Sequence, residues 1–258
     1  MIAAYLRHCW QAGNAHGLHS PFVYSLYTTV IRNRAKPPNW AAIEALRKTL
    51  LRSTETIQVT DYGAGSRRHN GNLRSVDSLA RSAQKPPRYA QLLYRLVKHT
   101  NAQTVLELGT SLGLTTAYLA EAVAETGGEL ISFEGCPNIA SLARHHLAQL
   151  DTQPVDIVVG NLDETLAHRL LDIPRLDLVF FDANHRYEPT LAYFETCLPK
   201  AHNDSLFIFD DIHWSNDMER AWAAIKAHPA TRVTVDLFGV GLVFFRHEQP
   251  KQHFTLRF

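Results

Sequence analysis

From residue 89 onward, runs that are apolar on both faces alternate with stretches of helical periodicity, an order few folds can absorb. Residues 89–98 have helical spacing and lead into "TVLEL". Helical 115–124 is followed by "ELISFE", and helical "NIASLARHHLAQL" by "VDIVVG". "LDLVFFD" and "SLFIFDD" are two further apolar runs, separated by the helical "PTLAYFETCL". Short segments rich in Val, Ile, Leu and Phe between helices predict an α/β protein whose parallel sheet is covered on both faces. The last repeat breaks the rule. In "TRVTVDLFGVGLVFFR" only a few residues around Gly239 and Gly241 join two strands, and so short a connection forces antiparallel pairing. The expected architecture is a doubly wound, mostly parallel seven-stranded sheet with an antiparallel C-terminal hairpin.

The region before this pattern reads differently. Residues 1–85 hold amphipathic pieces at 3–11, 21–32 and 40–51, the loop "AKPPNW", and the Gly/Arg/Asn-rich "DYGAGSRRHNGNLRSV". This predicts a mainly helical appendage on the substrate side. "KPPRY" reads as a linker, since two prolines cannot continue a helix. The regular domain then occupies 86–247, and 248–258 is a C-terminal tail. A chain of 258 residues suits one large domain with an appendage.

Composition narrows the function classes. A formal net charge of +1 gives no global field for nucleic acid or an anionic membrane, and no run approaches the ~20 apolar residues of a membrane span. The N-terminal apolar run is interrupted by Arg7, His8 and Gln11, too early for a secretory signal. Cys9, Cys136 and Cys197 lie far apart without metal-site spacing, as in a reducing, cytoplasmic setting.

Two stretches compete as a nucleotide-like binding turn. "VLELGTSLGLTTAYLAEAV" delivers Gly109 and Gly113 from an apolar strand into a good helix, whose N-terminus supplies free N–H groups and a positive dipole end. "VTDYGAGSRRHNG" has its own glycines at 63 and 65, but polar and basic residues follow and no helix starts. The first is therefore the cofactor turn; the second is a turn or hairpin of the appendage. The spacing E-x-G-x-x-x-G is not the G-x-G-x-x-G of dinucleotide sites. The next strand ends in Glu134, where a carboxylate can accept two hydrogen bonds from a ribose diol.

The ordered series "VLELGTSLGLTT", "ISFEG", "VVGN", "VFFDANHRY" and "FIFDDIHW" resembles the motifs of class I S-adenosylmethionine-dependent methyltransferases, on the catechol and caffeoyl-CoA O-methyltransferase-like branch. The resemblance covers roughly residues 85–246 and implies a Rossmann-like fold with S-adenosyl-L-methionine as cofactor. It implies that Glu107, Gly109, Ser111 and Gly113 surround the methionine end, that Glu134 holds the ribose, and that Asn161 and its neighbours face the adenine. The N-terminal 85 residues lie outside it.

Asp182 and the pair Asp210–Asp211 end neighbouring apolar runs. Adjacent strands lie about 4.8 Å apart, so these carboxylates can converge, and they would raise one another's pKa unless a cation sits between them. Oxygen ligands suit Mg²⁺ or Ca²⁺. The resembling metal-dependent enzymes place two Asp and an Asn here, and Asp211 stands where the Asn is expected. Two readings stay open: Asp182, Asp210 and Asp211 as metal ligands, or Asp182 and Asp210 as helix caps that order cofactor-side hydrogen bonds. Where the family pattern has a Lys three positions after the first Asp, this chain has His185. An imidazole titrating near 6.5 is a competent general base, so Asp182 and His185 are the candidate catalytic residues. His213 and Trp214 either line the acceptor pocket or pack in a loop. "HGLHSPF" lacks the Cys or acids of a zinc site and reads as a cap helix on the active-site face.

The expected function is methyl transfer to a small hydroxylated acceptor, in a chain that forms a homodimer on base rates. The alternatives are a nucleic-acid methyltransferase and an inactive cofactor-binding protein. Arg52, Arg67, Arg68, Arg74, Arg81, Lys85 and Arg88 give the appendage a local basic excess, but there is no "NPPY"-type signature for methylating a base amine.

Overall fold

A computed structural model of the chain describes residues 2–35, 40–60, 72–83 and 85–258. In chain order the first elements are α1 (Ile2–Gln11), α2 (Pro21–Leu26), α3 (Trp40–Leu50), β1 (Thr56–Gln58), β2 (Leu73–Ser75), α4 (Val76–Ala83) and α5 (Pro87–Thr100). Then follow β3 (Thr104–Leu108), α6 (Leu114–Thr126), β4 (Glu129–Glu134), α7 (Pro137–Gln149), β5 (Asp156–Val159) and α8 (Leu162–Arg169). The remainder is β6 (Leu176–Phe181), α9 (Tyr187–Cys197), β7 (Ala201–Asp210), α10 (Asn216–Ala227), β8 (Val233–Asp236), β9 (Val240–Phe244) and β10 (Gln252–Thr255). The chain divides into two compact units, one contiguous (35–171) and one assembled from 1–34 and 172–258.

In the contiguous unit β3, β4 and β5 pair in parallel, Leu106 opposite Ile131 and Ser132 opposite Ile157. Their residues are buried on both faces because helices cover them: in α6 nearly every residue from Leu114 to Val123 is buried. Helix α3 docks on α6 through Trp40, whose ring meets Tyr94 edge-on at 5.2 Å and Tyr118 at 5.4 Å. The Tyr118 hydroxyl donates to Glu44 Oε1 at 2.7 Å, which fixes the helix in register. The "KPPRY" segment is no linker: Pro87 starts α5, where its missing N–H costs nothing. β1 and β2 pair antiparallel, Thr56 opposite Ser75. The glycine turn expected between them, with Gly63, Gly65, Arg67 and Arg68, lies outside the described residues.

The second unit carries strands of mixed direction. β6 and β7 are parallel, β9 is antiparallel to both β7 and β8, and β10 is parallel to β8. The expected hairpin is therefore β8–β9, and the segment read as a tail adds one strand, β10, beyond the seven expected. An aromatic layer fills this unit, with Phe181 stacked on Phe209 at 4.3 Å and Phe194 edge-on to Phe207 and Phe209. Gly241 in β9 is required by Trp222 of α10: a Cβ there would meet the indole Cη2 at 2.7 Å. In "HGLHSPF" the seryl oxygen of Ser20 caps α2 from Val23 N at 3.4 Å and Pro21 opens the helix. His16 and His19 are exposed, so the motif is a helix start. No helix among the described residues is long and apolar enough to cross a membrane.

Candidate active site

The turn after β3 is built by conformation first. Gly109 (φ 114°), Ser111 (φ 48°) and Gly113 (φ 80°) all take positive φ within five residues, a region that glycine enters without strain. Gly109 and Thr110 both donate to the Phe133 carbonyl, at 3.0 and 2.9 Å, which ties the turn to β4. A Cβ on Gly113 would only touch Ala143 of α7 at 3.4 Å, so it is the φ of 80° rather than lack of space that favours glycine there. The turn ends as the N-terminus of α6, whose first N–H groups lack intrahelical acceptors.

Glu134 closes the turn from β4. Its Oε2 accepts from Ser111 N–H and its Oε1 from Cys136 N–H, both at 2.9 Å. The half-buried carboxylate is thus aimed by two backbone donors. Asn161, expected to face an adenine, has its side-chain oxygen on Asp163 N–H at 3.2 Å and caps α8. Glu107 is fully buried. Its Oε2 accepts from Thr116 and Ser132 hydroxyls, each at 2.6 Å, and pins α6 and β4 to β3.

Sequence reasoning missed two supports of the turn. Ser132 stands opposite Glu107 in the β3–β4 register, a signal present as one polar residue inside "ELISFE". His146 of α7 has no such signal. Its Nδ1 lies 2.9 Å from the Leu112 carbonyl, so that nitrogen must carry the proton. Burial, with help from neighbouring His145, holds its pKa below the usual value against the carbonyl's pull. Because the native pKa is depressed, the unfolded chain takes up a proton first as pH falls through about 6.5. The stability His146 contributes is whole above that pH and declines below it, so the melting midpoint drops between pH 7 and 5. In His146→Gln that slope is shallower; thermal melts across pH check it. His146→Ala leaves the Leu112 carbonyl without its donor, and cofactor affinity measured by calorimetry falls several-fold.

In the other unit, β6 and β7 deliver a second cluster. Asp182, His185 and Asp210 place one ligand atom each within 4.8 Å of one another. Asp210 is 1 % exposed, and His185 Nε2 lies 3.5 Å from Asp182 Oδ1. Asp211, the third residue of the expected ligand set, follows Asp210 at the end of β7. Its φ of 52° turns the chain, and its N–H bonds the Gly239 carbonyl at 2.8 Å. The cluster that the geometry brings together pairs one imidazole with two carboxylates, nitrogen and oxygen donors side by side. The Trp214 ring stands 6.0 Å from that of His185. His213 instead bridges Asp236 Oδ2 at 2.8 Å and Glu219 Oε1 at 3.2 Å. Burial works against its charge, but the two carboxylates outweigh burial and raise its pKa.

Residues 106–212 match a family described as a methyltransferase domain. The transmembrane O-methyltransferase of Propithecus coquereli is 35% identical over 97 residues, covering 36% of this chain and 35% of that protein. The catechol O-methyltransferase of Niastella koreensis is 27% identical over 146 residues, 54% of this chain and 65% of that one. The chain thus spans about a third of the length of the first curated relatives it matches. An O-methyltransferase from Bacillus cereus, solved in complex with SAH, shares the fold with a TM-score of 0.57 at 17% identity, over 86% of this chain and 96% of that one. The motif order, the glycine turn closed by an acid and the mixed sheet agree with these matches: residues 106–212 are similar to a methyltransferase domain, and the fold is shared with O-methyltransferases of known structure.

Proposed function

We propose that the chain methylates a small hydroxylated acceptor with S-adenosyl-L-methionine as donor. The observation that carries this reading is the left-handed turn 109–113 closed by Glu134. The SAH bound by the Bacillus cereus neighbour supports the same cofactor here. The donor supplies an electrophilic methyl on sulfur. Gly109, Ser111 and Gly113 shape its seat, Glu134 holds the ribose hydroxyls, and Asn161 caps the helix beside the base. Glu107 acts through Thr116 and Ser132 by keeping the turn in place.

His185 takes the acceptor proton. Its Nε2 faces Asp182, which orients the ring and stabilises the imidazolium, and Nδ1 is left to accept. A donor held in the turn would supply the methyl group that the acceptor oxygen takes once its proton is gone. A second reading rests on the closeness of Asp182, His185 and Asp210: they hold a divalent ion that lowers the acceptor's pKa. Mn²⁺ or Mg²⁺ supplementation that raises turnover favours the ion; unchanged turnover favours the base alone. Three free cysteines, Cys9, Cys136 and Cys197, support a reducing, cytoplasmic setting. A homodimer free of nucleic acid completes the reading.

The test is formation of S-adenosylhomocysteine with a panel of phenols and catechols. Turnover on part of the panel is the expected result. Donor binding without turnover on any hydroxylated acceptor leaves a cofactor-binding protein, and no donor binding overturns the reading altogether.

A further inference from the structure

Away from the turn and the Asp182 cluster, α1 contributes a buried histidine whose chemistry is incomplete. His8 is 6% exposed, and among the described residues its Nδ1 has no hydrogen-bond partner. That nitrogen nevertheless lies 3.1 Å from Asp236 Oδ1, at the end of β8. The other oxygen of Asp236 is 2.8 Å from His213 Nε2. Two imidazoles thus face the two oxygens of one buried carboxylate, a nitrogen and oxygen donor set of the kind that first-row cations bind.

We propose that His8, His213 and Asp236 form a zinc-type divalent metal site that fastens α1 to the ends of β7 and β8. The three offer one ligand atom each within 4.8 Å of one another. Ligand atoms on one tetrahedral zinc stand about 3.3 Å apart, given bond lengths near 2.0 Å. Each imidazole already stands at about that distance from one oxygen of the Asp236 carboxylate, His8 Nδ1 at 3.1 Å from Oδ1 and His213 Nε2 at 2.8 Å from Oδ2. Imidazole and carboxylate together suit zinc and its first-row neighbours over Mg²⁺ or Ca²⁺.

The surroundings are those of a held site. His213 Nδ1 meets Glu219 Oε1 at 3.2 Å, the carboxylate–histidine arrangement that orients a metal-bound ring. Arg7 in turn pairs with Glu219 at 3.0 Å. Asp236 Oδ1 accepts from Phe238 N–H at 2.8 Å, and Phe238 adopts φ 69° to do so. Its ring stacks on His213 at 5.3 Å and meets His8 at 5.4 Å, so both imidazoles and the carboxylate are fixed by outer partners. On loading, His213 Nε2 gives up any proton shared with Asp236, and both imidazoles bind through neutral nitrogens.

The full chain, stripped with a chelator, is titrated with ZnCl₂ by calorimetry and followed by thermal melting. The double variant Asp182→Asn/Asp210→Asn removes the other cluster as a source of binding. One equivalent of zinc bound by both proteins, with a raised melting midpoint, is expected. His8→Ala weakens zinc at least about 100-fold and abolishes the rise in midpoint. Glu219→Gln, which keeps all three ligands, weakens it about 10- to 100-fold and tests the site even if His8→Ala does not fold. Zinc that fails to bind the double variant, or that binds Glu219→Gln as tightly as wild type, overturns the proposal.

Discussion

Replacing His185 by alanine lowers kcat by roughly 10²- to 10⁴-fold, the range a positioned general base contributes, and leaves donor affinity unchanged. The side chain stands at the end of β6 with Nε2 3.5 Å from Asp182, and none of the contacts that build the glycine turn involves it. The loss therefore falls on the proton-transfer step. Asp182→Asn, which keeps the shape and removes the charge, lowers kcat in the same direction by destabilising the imidazolium. Wild-type turnover in His185→Ala removes the base from the scheme.

Glu134→Ala acts on binding. It deletes the acceptor of two backbone N–H groups, Ser111 and Cys136, together with the group proposed to hold the ribose. A lost charged hydrogen-bond acceptor costs about 2–3 kcal/mol, which corresponds to a roughly 30- to 150-fold rise in donor Kd. Isothermal titration with S-adenosylhomocysteine reads it directly. Glu134→Gln distinguishes roles: an amide keeps one acceptor oxygen, so the turn survives while the diol contact is halved. Donor affinity that is untouched in Glu134→Ala would sink the assignment.

The parts of this chain legible in the sequence are those built by neighbours along it. A strand, a glycine turn and a helix N-terminus between residues 104 and 126 follow from local pattern, and so does Glu134 at the next strand end. The hairpin β8–β9 was legible for the same reason. Strand β10 was not: "QHFT" is exposed or half-buried and shows no apolar alternation, so only pairing with β8 makes it a strand. His146 and Ser132 join the turn through tertiary register. At the Asp182 cluster, the closeness of His185 to Asp182 and Asp210 comes from the loop after β6, which strand-end spacing does not show. His8 and Asp236 come from opposite ends of the chain, beyond reach of any spacing rule.

The uneven make-up of the two units sets an order of events during synthesis. Residues 35–171 are continuous, so the donor-binding turn can assemble once they have left the ribosome. The other unit must wait. Gly13 exchanges hydrogen bonds with Thr255 and Arg257, and the Tyr27 hydroxyl donates to the Arg257 carbonyl. The first helix, whose Arg7 and His8 pair with Glu219 and Asp236, therefore stays undocked until those residues emerge, and its exposed Ile2, Leu6 and Trp10 spend that interval beside an unfinished core, where a nascent-chain chaperone would find them.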